Sequence, residues 1–193
     1  MINQNFIYLG ALIFFLGSIG YFAETIQGKV KPNRVTWFLW GLSPMIAFIA
    51  QINQGVGLQS LLTFMVGFVP ILILFASFIN KNSYWKLEKF DFVCGFLSII
   101  GLVLWQITKV GNIAILFRII ADFLAGWSTT VKSYNHPETE NYWIYLGNAV
   151  FALITLLTIK VWTFETYSFS LYMFIITLTT FFILKFKIKK FFK

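Results

Sequence analysis

Charge is what this chain has least of. Only 11% of its 193 residues are Asp, Glu, Lys or Arg, whereas 59% are hydrophobic. A soluble globule is nearer a quarter charged and half apolar, so the composition excludes one. Long polar stretches are missing as well. The longest runs from Asn80 to Asp91, too short for a water-soluble domain, and the chain reads as a single membrane domain over 1–193. Cys94 is the only cysteine, which excludes a disulfide within the chain. His136 is the only histidine, and without a Cys/His/carboxylate cluster there is no donor set for a structural zinc. No Ser-His-Asp arrangement, no pair of cavity carboxylates and no glycine-rich phosphate loop is visible. An enzyme, an ATP-driven pump and a bound cofactor are therefore not expected. The amino terminus lacks the basic segment and small-residue cleavage site of a signal peptide, so the first apolar run is expected to be retained as a span.

What the chain has is apolar runs of membrane length. Seven are present, at about 5–25, 35–51, 58–79, 90–107, 111–131, 141–160 and 167–184. In lipid only helices or closed barrels satisfy their backbone, and barrel strands would be half as long with alternating polarity, so the runs predict seven transmembrane helices. Pro44 lies inside the second run and predicts a kink or local break there. The net charge of +8 would suggest nucleic acid in a soluble protein. Here the basic residues fall in short loops, where they report sidedness, and nucleic acid is not an expected partner. With the amino terminus outside, the inside receives Lys29, Lys31, Arg34, Lys81, Lys86, Lys89, Lys132, Lys185, Lys187, Lys189, Lys190 and Lys193. The outside receives only Lys109 and Lys160. That asymmetry predicts a multi-pass protein of the cytoplasmic membrane with its amino terminus out and its carboxyl terminus in.

An internal repeat emerges at a shift of 105 residues. Pro32 falls on Pro137, Thr25 on Thr130, Trp37-Phe38-Leu39-Trp40 on Tyr142-Trp143-Ile144-Tyr145, and Ser43 on Asn148. A rival match of Ile7-Tyr8-Leu9-Gly10 with Ile144-Tyr145-Leu146-Gly147 does not extend, and reads as chance. The shift superposes runs 1–3 on runs 5–7 and leaves run 4 alone. Three spans would invert the second half; a lone linker restores it to parallel. The predicted fold is thus all-α, with two parallel three-helix bundles, 5–79 and 111–184, joined by a linker helix at 90–107, in a 3+1+3 plan.

This layout, with both proline loops on the inside, resembles the SWEET and PQ-loop family of small-solute transporters. In that family a proline-glutamine pair lies near the cytoplasmic end of the first helix of each half. Ser128-Thr129 stand at that place in the second half, and Ala23-Glu24 in the first. Sugar-carrying members also use asparagines in the third helix of each half; runs 3 and 7 contain none, so hexose is not the implied solute. The resemblance implies transport of a small polar solute by alternating access at a midplane site.

Arg118 and Asp122 are the residues most at odds with a bilayer. Entering from outside, Arg118 lies about 10 Å deep and Asp122 about 16 Å, four residues apart on one face. Three readings stand: an intrahelical ion pair bridging the bundles, contact with a polar or anionic solute, and a proton-coupling carboxylate at Asp122. Ser43 and Asn148, equivalent in the repeat, either read solute hydroxyls or amides or join helices by hydrogen bonds. Trp37, Trp40, Tyr142, Trp143 and Tyr145 follow the proline loops and either form an interfacial aromatic belt or, for Trp37, Trp40, Tyr142 and Tyr145, close an inner gate. Glu24 reads as a solvated interfacial carboxylate. Gly10, Gly17, Gly20, Gly67, Gly126 and Gly147 read as helix-packing positions, and the basic tail 185–193 as a contact for anionic lipid. A receptor or scaffold on the same fold that moves nothing is the alternative to a transporter. Solute identity is not legible, and a homo-oligomer is neither required nor forbidden.

Overall fold

The structure, a computed structural model, describes residues 2–53, 60–108 and 111–191. Lys109 and Lys193, counted above for sidedness, and the first two residues of the run at 58–79 lie outside the described residues. The described chain is all-helical: α1 (Phe6–Ile26), α2 (Arg34–Asn53), α3 (Ser60–Ile79), α4 (Lys89–Ile107), α5 (Gly111–Asn135), α6 (Tyr142–Thr158) and α7 (Phe164–Phe186), with short 3₁₀ turns at Pro137–Thr139 and Ile188–Phe191. The seven helices coincide with the seven apolar runs to within a few residues. Three stretches, α1, α4 and Thr166–Phe186 of α7, are long and apolar enough to cross a membrane by length and composition. Twenty residues at 1.5 Å each span about 30 Å, the thickness of a hydrocarbon core.

The distribution of polarity is inverted relative to a soluble protein. Phe75, Phe96 and Ile79 are 64%, 65% and 68% exposed, while Thr25, Asn33 and Thr36 are wholly buried. An exterior of large apolar side chains around a hydroxyl-rich interior suits lipid and points to a membrane protein.

Adding 105 carries Phe6–Ile26 to 111–131, Arg34–Asn53 to 139–158 and Ser60–Ile79 to 165–184, close to the bounds of α5, α6 and α7. The packing follows the same shift. α3 packs on both α1 and α2, and α7 packs on both α5 and α6. α1 packs against α6, and its counterpart pair, α5 and α2, are also in contact. Even a local detail repeats: Thr25 donates its hydroxyl to the carbonyl of Tyr21, and Thr130 donates to that of Gly126.

The two related seams are closed by different means. Where α1 meets α6, a Cβ added at Gly17 would sit 3.1 Å from the Trp143 carbonyl oxygen, and one at Gly147 would sit 3.2 Å from that of Ile13. Backbone approaches backbone there, which only glycine permits. Gly20 differs from the expectation: nothing lies within 4 Å of its would-be Cβ, so it is not a packing position. The α2–α5 seam is held by hydroxyls instead. Thr36 donates to the Ala125 carbonyl at 2.6 Å and lies 3.1 Å from Ser128 and 3.0 Å from Thr129. α4 covers this seam, with Ser98 donating to the Ala121 carbonyl at 2.7 Å and Gly95 admitting the side chain of Val35.

α2 continues through Pro44 without a break in the helix, and Pro70 is likewise inside α3. Each proline removes one amide donor, so the carbonyls of Trp40 and Val66 lose their helical partners. The second half has no equivalent, since Ala149 and Ile175 stand at those places.

Candidate functional site

Between the two triplets of helices lies a cavity of about 60 Å³. All four side chains nominated for solute contact line it: Ser43 from α2, Asn148 from α6, and Arg118 and Asp122 from α5. Trp37, Trp40 and Tyr145 line it too, as do Pro44 and Pro70. Its lining on α5 runs from Arg118 to Thr130, about 18 Å along the helix. A volume of this size holds a few waters, not a drug-sized ligand.

Of the three readings of Arg118 and Asp122, the intrahelical ion pair is not formed. Among the described residues the ion pairs are Lys132–Glu140 and His136–Glu138, and Arg118 and Asp122 are not within 4.0 Å of each other. The guanidinium instead stacks on aromatic faces, 4.3 Å from the ring centre of Phe169 and 5.6 Å from that of Trp105. Its Nε is buried without an acceptor. Asp122 is held from α7, where the Tyr172 hydroxyl donates to Oδ2 at 2.9 Å. Arginine preceding aspartate is the weaker helical order, and here aromatic faces and a tyrosine offer each partner a better contact. The indole N–H groups of Trp37 and Trp40 also lack acceptors.

A second polar cluster lies at the end of the helices that carries both proline loops. Glu140 is its centre. The hydroxyls of Tyr21 and Tyr145 each donate to its Oε2 at 2.9 Å, and the Lys132 ammonium pairs with its Oε1 at 2.5 Å. Both charged side chains are sealed, at 1% and 0% exposure. Lys132 also donates to the Lys31 carbonyl, and the Lys31 amide donates to the Thr139 carbonyl at 2.8 Å. The first proline loop is thereby tied directly to the second. Beside it, Asn33 caps α2 by accepting from the Val35 amide at 3.1 Å and donates to Asp91 at 2.8 Å.

Several aromatic and acidic residues depart from expectation here. Trp37 is 2% exposed and packs between Tyr21, 4.9 Å away, and Trp40, 5.4 Å away. It belongs to the buried core cluster and not to an interfacial belt. Tyr145 is buried as well, its hydroxyl spent on Glu140. Of the five aromatic residues that follow the proline loops, only Trp143 has the exposure of a belt residue, at 53%. Tyr142 is half-buried, with the Lys185 ammonium 4.6 Å from its ring centre. Glu24 is not freely solvated: it accepts from the Asn141 amide at 2.6 Å, while Asn141 caps α6 through the Trp143 amide at 2.7 Å. In the tail, Lys189 donates to Asn135 at 2.8 Å, folding the chain back on the end of α5.

Lys132 enters the sequence analysis only in the count for sidedness, and Glu140 does not enter it at all. The signal available was a tyrosine near each proline loop, Tyr21 and Tyr145, with one carboxylate and one lysine at the same level. Compared with family models, with characterised proteins and with solved structures, the chain matches none.

Proposed function

We propose that this protein is a seven-span membrane carrier of SWEET or PQ-loop type, with its amino terminus outside, that passes a small polar solute across the cytoplasmic membrane. One observation carries the reading: four polar side chains chosen from sequence converge on a single cavity between two triplets of helices that match at a shift of 105 residues. Two parallel repeats around a midplane site form one of the known plans for alternating access. The shared packing of α3 and α7, each between the other two helices of its half, supports a 3+1+3 division with α4 as linker. In this mechanism bundle α1–α3 rocks against bundle α5–α7. The Lys132–Glu140 cluster and the joined proline loops close the inner end and must separate for release on that side. Trp37 and Tyr145, packed over the cavity at that end, move with them.

The site is non-covalent in its chemistry, and nothing in it suggests an energy source beyond the solute gradient. A second reading, a receptor or scaffold that moves nothing, is favoured by one fact, the small size of the cavity. Uptake by purified protein in liposomes, screened over amino acids, organic anions, polyols and vitamins, separates the two. Saturable uptake of any one class, reduced by Asp122→Asn, supports a carrier; no uptake of any class leaves the scaffold.

A further inference from the structure

Among the described residues, Arg118 is the one charged side chain with a buried nitrogen that has no hydrogen-bond partner. It lines the central cavity, its Nε is buried with no acceptor, and no carboxylate lies within 4.0 Å of its nitrogens. The two aromatic rings beside it, Phe169 and Trp105, fix its plane without supplying an acceptor. A guanidinium at bilayer depth is costly unless something answers its charge. The fork of a guanidinium matches a carboxylate, two N–H groups to two oxygens. Asp122 does not fill that role, since its Oδ2 is turned to Tyr172. A donor elsewhere on the same wall points to an acceptor too: the buried Trp40 N–H has none.

We infer that the solute presents a carboxylate to Arg118, clamped in the plane set by Phe169 and Trp105. This rests on the carrier reading above and names its solute class. Size narrows it further. At about 10–15 Å³ per water-sized site, a cavity of about 60 Å³ has room for roughly four to six waters, the scale of a small carboxylate. A small carboxylate fits; a hexose does not. The carboxylate could belong to a simple organic anion or to a zwitterion whose ammonium meets the remaining oxygen of Asp122.

The test is direct binding to the unmodified protein in nanodiscs, read from tryptophan fluorescence, since Trp105 and Trp40 flank the site. The probes are glycolate, glycine and glycolamide, the last a neutral amide of matched size. Glycolate or glycine should bind saturably and at least tenfold more tightly than glycolamide. Arg118→Gln should cost at least tenfold for the acid and little for the amide, and Arg118→Lys should fall between. Glycine ahead of glycolate, with the advantage lost in Asp122→Asn, assigns a zwitterion; the reverse order assigns an anion. Equal binding of acid and amide, binding unchanged in Arg118→Gln, or binding of none of the three overturns the inference. Saturable liposome uptake of a neutral solute alongside any of those results would leave the carrier reading standing, whereas no uptake of any class would remove that reading as well.

Discussion

Glu140→Ala should be the most damaging single substitution outside the cavity. It removes the acceptor of two tyrosine hydroxyls at 2.9 Å each and the only carboxylate paired with the Lys132 ammonium, whose side chain is 1% exposed. Removing one partner of a buried pair costs about 3–5 kcal/mol, because the remaining charge stays buried without compensation. Hydrogen bonds to a charged group are each worth about 1.5–3 kcal/mol, so the loss of the tyrosine bonds keeps the total at the upper end of that range. Lys132→Met should cost less, since Glu140 would retain both tyrosines. The double variant Lys132→Met/Glu140→Gln should recover most of the stability, giving a coupling of about 2 kcal/mol or more in a double-mutant cycle with the single variants Lys132→Met and Glu140→Gln. Thermal unfolding of the purified variants, followed by loss of the monodisperse peak on size exclusion, reads this out. If the single losses stay below about 0.5 kcal/mol, or if they add without coupling, the cluster is not the fastening described here.

Other expectations follow from the same geometry. Gly17→Leu should drive side-chain atoms into the Trp143 backbone and destabilise by about 1–3 kcal/mol, whereas Gly20→Ala, with open space around it, should be neutral or stabilising by about 0.5–1 kcal/mol from helix propensity. Unfolding of the pair side by side checks both. Thr36→Val should cost about 1–3 kcal/mol by stripping the α2–α5 seam of the hydroxyl shared by Ala125, Ser128 and Thr129, and it should loosen this seam without affecting α1–α6. Hydrogen exchange at the two seams distinguishes them. For sidedness, a cysteine at Asn82 in a Cys94→Ser background should react with an impermeant thiol reagent from inside only, and one at Thr163 from outside only; the opposite pattern would refute the orientation.

The helices were legible in the sequence because membrane length and apolarity leave few alternatives. The boundary of α5 was misplaced at Lys132, where a lysine normally marks the end of a span. Glu140, eight residues further on, folds back to receive it and lets the helix run to Asn135. Periodicity could nominate Arg118 and Asp122 but not their partners. Tyr172 lies fifty residues beyond Asp122, and which ring stacks on a guanidinium depends on α4 and α7 packing, a tertiary fact that no local spacing encodes. Trp37 failed for a related reason. An aromatic residue after a loop has the same local signature at an interface as in a core, and the difference is made by the rings of Tyr21 and Trp40 packing against it.

The central claim is that both sides of the membrane reach the cavity in turn. Its most direct test places a cysteine at Asn148 in the Cys94→Ser protein, reconstituted in liposomes with known orientation, and offers a small impermeant thiol reagent from one side at a time. Modification from each side, slowed when the solute is present, is the predicted result. A cysteine that reacts from neither side, in protein that is folded and correctly inserted, would contradict the account.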